Sequence, residues 1–269
     1  MTTGVHSSHA PYRQALGGLG RSAGLVAGAR GAVTALAGGA GWPGLLEAAA
    51  RAGAASAVVD NPVAVPGPAL AALLSLPFPV VLERRYLRPD LCDAAVRARA
   101  GVPPRAIVVE CAGGEAETAG LLGDGIGWAR VFAGGELVVR SVGRQAGGLV
   151  ALLDGPGMLP VTVLSTRLQA PGAAGLLRVG LLGETRSDVT IDPVAGVADV
   201  DTATAAGTFR AAPRYESSTR LALRRALGAA VSGEPVADLR EWMHDSALAA
   251  ALLDAVSPPY RQAVSAVVI

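Results

Sequence analysis

The feature that most constrains the fold is a regular alternation of apolar and amphipathic segments between residues 32 and 83. The apolar segments are short enough to be buried strands, and helical patterns separate them. Strands that are separated by helices normally lie parallel in one sheet. The alternation therefore predicts a βαβαβ unit, with strands at 32–37, 54–59 and 79–83 and helices at 45–52 and 68–74.

After residue 104 the pattern changes to strand-like segments joined by short turns that contain Gly or Pro. The only helical pattern among them is at 118–132, so the strands are expected to pair antiparallel. Two helical patterns, at 216–231 and 236–256, close the chain. The expected strands lie at 105–111, 136–142, 149–153, 159–168, 176–182, 189–191 and 202–209.

Composition narrows the class of protein. Hydrophobic residues make up 51% of the chain and aromatic residues only 4%, so the core must be built from Ala, Val and Leu. The formal charge of +1, without a basic stripe, argues against a nucleic-acid partner. All basic residues are arginines, so no lysine amine is available for acid–base or Schiff-base chemistry. Two cysteines and three histidines form no pattern typical of a disulfide framework or a metal site.

The sequence contains no signal that directs it to a membrane or out of the cell. Residues 1–14 have no apolar core of a signal peptide. The longest uncharged run, 61–82, contains five prolines, which break any helix through it. We therefore expect a soluble, cytoplasmic protein with no membrane partner.

Three segments, in this order along the chain, resemble the Gfo/Idh/MocA family of dehydrogenases. The first is LLEAAARAG at 45–53 with AVVDNPVA at 57–64, the second is LLGDGIGW at 121–128, and the third is 215–253 with its Gly-Glu-Pro. The resemblance implies an α/β plus α+β fold, in which a truncated Rossmann-like parallel sheet precedes an antiparallel-sheet domain with terminal helices. The expected parts are a glycine-rich segment at 1–31, the Rossmann-like domain at 32–104 and the second domain at 105–269.

The chain departs from the family at the parts that carry hydride transfer. Gly17, Gly18 and Gly20 follow no apolar strand, so residues 1–31 are interpreted as irregular and not as a dinucleotide fingerprint. The resemblance places Asn61 where the family has a lysine, and Trp128 where it has a histidine. Neither an amide nor an indole titrates near neutral pH. We expect no nicotinamide cofactor and no metal.

The resemblance also supplies two candidate catalytic carboxylates. Asp124 matches an acidic position of the family, and Glu110 ends the strand that faces the active cleft there. A buried Glu110 would have a raised pKa suited to acid–base work, although a surface position at the strand end is the alternative. Trp128, four residues after Asp124 on the same helix face, would make the pocket apolar or would pack in the core.

Polar residues at the ends of two predicted strands are the candidates for substrate binding. Asp60 and Asn61 end one strand, where α/β sheets bind ligands, but both residue types also favour turns. Glu83, Arg85 and Tyr86 end the next and are suited to an anionic or enolic substrate. The alternative is a set of solvated surface charges.

These observations leave three hypotheses. The first is a non-redox cyclase, isomerase or lyase that acts on a hydrophobic small molecule, with natural-product or antibiotic biosynthesis as its setting. The second is a non-catalytic subunit, which pairs through its antiparallel sheet with itself or with an intact relative. The third is an NAD(P)-dependent oxidoreductase with a non-standard cofactor site. Under the first two hypotheses, the resemblance implies a homodimer through the antiparallel sheet or a heteromer with an intact relative.

Overall fold

The computed structural model describes residues 3–20, 23–65, 67–170 and 173–256, which form two β-sheets with helices packed against them. The first sheet is entirely parallel, with strand order β2-β1-β3-β4-β5. Its strands are β1 (Thr3–His6), β2 (Ala23–Leu25), β3 (Val33–Ala37), β4 (Ser56–Asp60) and β5 (Val80–Glu83), and the helices along it are α1 (Ala10–Leu16), α2 (Trp42–Arg51) and α3 (Gly67–Leu73). Helix α4 (Pro89–Ala98) follows β5 and packs on the second sheet.

The N-terminal segment belongs to this sheet. Strand β1 lies between β2 and β3, so the interpretation of residues 1–31 as irregular is wrong for its described part. The strands of this β1-α1-β2 unit have only four and three residues, too few to give an apolar run. Gly4 is needed here because a Cβ atom would lie 2.9 Å from the side chain of Val26.

The second sheet has strand order β13-β12-β11-β10-β6-β9-β8-β7. Its strands are β6 (Ala106–Gly113), β7 (Val138–Gln145), β8 (Gly148–Gly155), β9 (Leu159–Arg167), β10 (Leu176–Leu182), β11 (Arg186–Asp192), β12 (Val197–Thr204) and β13 (Gly207–Arg210). All neighbours are antiparallel except β6 and β9, which pair in parallel, so the sheet is mixed and not purely antiparallel as predicted. The predicted strand at 202–209 is a hairpin of β12 and β13.

Helices α5 (Thr118–Ala133) and α7 (Asp238–Val256) cover one face of the second sheet. The strands alternate accordingly, with Val109, Val163 and Val179 buried under the helices. The opposite face carries exposed side chains. This one-sided burial is the pattern of an antiparallel sheet that faces solvent on one side.

The terminal helices tie the two sheets together. Helix α6 (Ser218–Ser232) packs on the first sheet, where the Ser56 hydroxyl donates to the Ala226 carbonyl oxygen at 2.9 Å. At the start of α7, Trp242 meets Trp42 edge to face, with ring centroids 5.5 Å apart. The C-terminal helices therefore belong to both halves of the molecule. Among the described helices, none is long and apolar enough to cross a bilayer.

Candidate functional site

A cleft of about 330 Å³ lies beyond the carboxyl ends of β4 and β5. Its walls are formed by the loop after β4, the residues after β5, the start of α5 and one side of α7 between residues 242 and 254. Most of the lining is apolar, and it includes Pro62, Val63, Leu121, Trp242, Ala249 and Leu253. Clefts of this size and composition are typical small-molecule sites.

Asn61 stands at the rim of the cleft, where the sequence predicted a ligand contact. Its backbone adopts a positive φ of 45°, which Asn tolerates better than most residues, and its N–H donates to the Glu83 carbonyl oxygen at 2.8 Å. A glycine at position 38 is required beside it, since a Cβ atom there would lie 2.2 Å from the Asp60 carbonyl oxygen. The loops after β3 and β4 are therefore in direct backbone contact, with Asn61 exposed above them.

The strand order reverses between β1 and β3, and dinucleotides bind at such a switch point in doubly wound sheets. Here the turn after β1 contains no glycine. Ser7 donates its hydroxyl to the Ala35 carbonyl oxygen at 3.0 Å, and the His9 N–H donates to Ser7 Oγ at 3.0 Å. The His9 ring reaches across to the Asp60 carboxylate, with 2.5 Å between Nε2 and Oδ2.

These residues do not fit a dinucleotide. A pyrophosphate needs glycines for close approach of the backbone and an unobstructed helix N-terminus, whereas this turn is filled by the pairing of His9 with Asp60. The position after β2, where an acidic residue would hold the ribose, is occupied by Val26. Asp60 is thus bound by His9 and is absent from the cleft lining. The sequence analysis missed His9 because its partner is 51 residues away.

Asp124 lies at the inner wall of the cleft but is held on both carboxylate oxygens. Oδ1 accepts from Arg84 Nε at 2.7 Å, and Oδ2 accepts from the Tyr86 N–H at 2.9 Å. Burial raises the pKa of Asp124, while the Arg84 guanidinium opposes that rise. These contacts make Asp124 an anchor between the two sheets, while its predicted role as a catalytic acid stays a prediction.

Arg84 is the centre of a buried ionic network. It also donates to Asp245 Oδ2 at 2.7 Å, and Asp245 in turn accepts from Arg130 Nε at 2.8 Å. Burial alone would lower the pKa of Arg84, but the two aspartates outweigh it and raise that pKa above its ordinary value. Gly127 makes room for the network, since a Cβ atom there would lie 2.7 Å from Asp245 Oδ2.

Glu117, directly before α5, is a carboxylate at the open part of the cleft, and the exposed Asp254 of α7 is another. Its Oε1 accepts from Arg85 at 2.7 Å, and its Oε2 accepts from the Tyr86 hydroxyl at 2.8 Å and from the Gly175 N–H at 2.7 Å. Burial, followed by the hydrogen bond to Glu117, raises the pKa of Tyr86 to about 12. Arg85 and Tyr86 therefore line the cleft, together with a carboxylate that the sequence analysis missed.

Besides Asp60, two more of the predicted substrate-binding residues lie outside the cleft. Trp128 is fully buried, donates its indole N–H to the Tyr86 carbonyl oxygen at 2.7 Å and stacks on Phe132. It packs in the core and does not face the cleft. Glu83 is buried on the other side of β5, where it accepts from Tyr12 at 2.6 Å and from the hydroxyl of Ser218. Glu83 joins α1 and α6 to the first sheet.

Glu110, the other predicted catalytic carboxylate, lies outside the cleft. Its side chain is exposed on the open face of the second sheet, opposite Arg178 in the register of β6 and β10. Its neighbours Val109 and Cys111 point inward under α5. Because side chains alternate along a strand, Glu110 cannot reach the cleft. Within the described residues, His, Cys, Asp and Glu form no group of three or more that would hold a metal ion.

No protein-family model matches the chain. No curated protein matches its sequence either.

Solved structures do match. UDP-N-acetylglucosamine 3-dehydrogenase GnnA from Acidithiobacillus ferrooxidans superposes with a TM-score of 0.71 at 12% identity, over 95% of this chain and 97% of that one. The dehydrogenase MviM from Clostridium difficile gives 0.66 at 10% identity, over 94% and 90%. The 3-ketoreductase KijD10 from Actinomadura kijaniata, in complex with NADP, gives 0.63 at 15% identity, over 95% and 97%.

These neighbours are Gfo/Idh/MocA-type dehydrogenases, and identities this low establish the fold alone. The resemblance predicted from the sequence is thus confirmed at the level of the fold. The predicted fold class, a Rossmann-like parallel sheet followed by a second sheet with terminal helices, is confirmed as well.

Proposed function

We propose that the protein binds a small, largely apolar molecule in the cleft and acts on it without a nicotinamide cofactor, as an isomerase, cyclase or lyase. The observation that carries the proposal is the contrast between the filled switch point and the open cleft beside it. The pairing of His9 with Asp60 occupies the turn that a pyrophosphate needs. The cleft has a mostly apolar lining, and its polar wall consists of Arg85, Tyr86 and Glu117.

The polar wall supplies the groups for proton transfer. Glu117 is the base, since it lies in the lining with 28% of its side chain exposed. The substrate displaces the hydrogen bonds that Glu117 accepts from Arg85 and Tyr86. The Tyr86 hydroxyl, with a pKa raised to about 12, stays protonated at neutral pH. Once the substrate displaces its hydrogen bond to Glu117, the hydroxyl donates to a substrate oxygen. Arg85, 44% exposed, turns towards the negative charge that develops on that oxygen.

In the simplest reaction, Glu117 removes a proton from a carbon next to a carbonyl group. The electron pair of that C–H bond becomes the enolate, which Arg85 and Tyr86 stabilise. The proton returns to a different carbon in an isomerisation, or the enolate expels a leaving group in a lyase reaction. No electrons leave the substrate, so no oxidant is required.

A second candidate function is an NAD(P)-dependent oxidoreductase, which is favoured by the fold. The names of its structural neighbours describe dehydrogenases and a 3-ketoreductase, and that ketoreductase was solved with NADP. Under this alternative the dinucleotide binds only after the turn at His9 rearranges. The two candidates differ in whether turnover consumes a nicotinamide cofactor.

Association through the open face of the second sheet is compatible with either candidate. Leu152, Leu164 and Leu182 expose 43%, 37% and 48% of their surface and lie on the strands β8, β9 and β10. A family that associates through this face would bury such side chains in a homodimer or in a heteromer with an intact relative. As a partner subunit, the chain would need no catalytic residues of its own.

The test of the proposed chemistry is deuterium incorporation. The protein is incubated in D₂O with a panel of hydrophobic ketones and enones, and the recovered compounds are analysed by mass spectrometry. We expect incorporation with the unmodified protein and at least a hundredfold slower incorporation with Glu117→Gln, the usual effect of removing a general base. Glu184→Gln, which removes an exposed carboxylate far from the cleft, is the control.

The outcome decides between the candidates. Incorporation that persists in Glu117→Gln contradicts the role of Glu117. Turnover that depends on added NADPH or NAD⁺ contradicts the non-redox function and favours the oxidoreductase.

A further inference from the structure

A second recess, of about 570 Å³, adjoins the cleft between the second sheet and the ends of α5 and α7. Its lining includes Arg144, Leu149, Ser165, Arg167, Thr118 and Leu253. We propose that this recess binds the phosphate of a phosphorylated ligand whose apolar part occupies the cleft. The inference rests on the proposed function, since it names the class of substrate that the cleft takes.

The register of the sheet brings two arginines to the recess. Leu149 on β8 pairs with Arg144 on β7 and with Ser165 on β9, so these three side chains share the face that α5 and α7 cover. Arg167 lies two residues after Ser165 and therefore points the same way. Strands β7 and β9 are two spacings apart, roughly 10 Å, so the long side chains can converge on one ligand.

Ser165 adds a hydroxyl group to the polar lining of the recess. The residue is 4% exposed, so its position on β9 is fixed by the surrounding sheet and helices. A phosphate oxygen in the recess would accept a hydrogen bond from that hydroxyl.

The start of α5 supplies further donors at the junction of the recess and the cleft. Within the described parts of the chain, the N–H groups of Ala119 and Gly120 have no acceptor. Helix α5 has 16 residues, so the partial positive charge at its N-terminus is fully developed. Ala119 and Leu253 line both the recess and the cleft, so one molecule can extend from one to the other.

The charges at the recess favour an anion. Arg144 and Arg167 face a single carboxylate among the lining residues, that of Glu115. Arg167 and Glu115 are 3.9 Å apart with exposed side chains of 53% and 85%, an arrangement worth little in water. Arg167 is thus free to turn to a ligand, and guanidinium groups match the geometry of phosphate oxygens.

The test compares two fluorescent probes, 1-naphthol and 1-naphthyl phosphate, in titrations of the full chain at low ionic strength. The unmodified protein should bind the phosphate ester at least about tenfold more tightly than the neutral naphthol. In the double variant Arg144→Gln/Arg167→Gln this preference should disappear, while the affinity for naphthol stays the same. Arg178→Gln/Arg186→Gln removes two exposed arginines from strands β10 and β11 of the same sheet and is the charge-matched control.

A preference that is unchanged in Arg144→Gln/Arg167→Gln, or equally reduced in the control, overturns the inference. So does an unmodified protein that binds both probes equally, and in that case naphthol binding still supports the cleft. Titration with inorganic pyrophosphate separates the remaining case. If naphthol does not bind but pyrophosphate binds and is lost only in Arg144→Gln/Arg167→Gln, the apolar cleft fails while the anion site stands.

Discussion

Two neighbouring parts of the carboxyl edge of the first sheet differ in whether side chains of the protein fill them. At the ends of β1 and β3, where the fold places a dinucleotide, the His9 ring reaches across to Asp60 at the end of β4, with 2.5 Å between Nε2 and Oδ2. At the ends of β4 and β5, a cleft of about 330 Å³ stays open. Both lie at the carboxyl edge of one sheet, so the fold alone determines neither outcome.

The difference lies in where polar groups find their partners. At the switch point between β1 and β3, the polar groups of Ser7, His9 and Asp60 form hydrogen bonds with one another or with the backbone. At the cleft, Arg85 and Glu117 form an ion pair but are both partly exposed, so a ligand can take the place of one partner in this pair. The proposed function depends on this difference, since it needs the cleft and not the switch point.

The largest expected effect concerns the ionic network behind the cleft. Arg84→Met leaves Asp124 and Asp245 buried without their cation, and this should lower the free energy of unfolding by about 3–5 kcal/mol. Urea unfolding measures the change. Arg105→Met, which breaks an exposed pair with Glu184 of similar length, is the matched control and should cost less than about 1 kcal/mol. Equal effects of both substitutions would contradict the anchoring role of Arg84.

The next effect concerns the cleft itself. Ala250 lines it, is exposed and lies on α7, so Ala250→Trp should fill the cleft without disturbing the core. We expect binding of 1-naphthol to weaken by at least about tenfold, which corresponds to ~1.4 kcal/mol. The control, Ala247→Trp, places the same side chain on an exposed position of α7 outside the lining. Unchanged binding in Ala250→Trp would show that the dye binds elsewhere.

A smaller effect should appear at alkaline pH. The pKa of Tyr86 is raised to about 12 in the folded protein, whereas an unfolded tyrosine titrates near 10. The unfolded chain thus loses its proton first, so stability is complete below pH 10 and falls as the pH rises towards 12. Tyr86→Phe removes this loss. Between pH 9 and pH 11 the unmodified protein should therefore lose about 1 kcal/mol more than the variant in urea unfolding.

The alkaline experiment is unusually clean because the chain has no lysine that titrates in the same range. Burial raises the pKa of Cys92 and Cys111, but they contribute equally to both proteins. A parallel decline in stability for both proteins would contradict the shifted pKa of Tyr86.

The smallest effect is expected at Glu110. Since its side chain lies on the open face of the second sheet, Glu110→Gln should change neither naphthol binding nor the deuterium exchange of the proposed reaction. Its unfolding free energy should change by less than about 0.5 kcal/mol. A loss of exchange comparable to that of Glu117→Gln would restore Glu110 as a catalytic candidate.

The sequence was sufficient to predict elements with strong periodicity. The alternation of apolar segments predicted β3, β4 and β5, and the helical pattern at 118–132 predicted α5 (Thr118–Ala133) to within one residue. Strand β1 was not predicted because its sequence, TGVH, contains a single large apolar residue. Its place in the sheet depends on pairing with β2 and β3 and not on its own composition.

The site was harder to predict because its contacts span long stretches of chain. Glu117 accepts hydrogen bonds from Tyr86, 31 residues away, and from Gly175, 58 residues away. No local sequence pattern predicts contacts between residues so far apart in the chain. Position in a resembling family pointed to Asp124 as a catalytic acid, and Asp124 lies in the lining of the cleft. Family position could not show that the Asp124 carboxylate accepts a hydrogen bond from Arg84.

Titration of the protein with NADPH, followed by calorimetry, tests the central claim most directly. The crevice at His9 and Asp60 is closed, so we predict no binding stronger than a dissociation constant of about 1 mM, with NADH giving the same result. Binding of 1-naphthol by the same preparation would show that the cleft is intact. A dissociation constant for NADPH of about 10 µM or lower would contradict the account and restore the oxidoreductase.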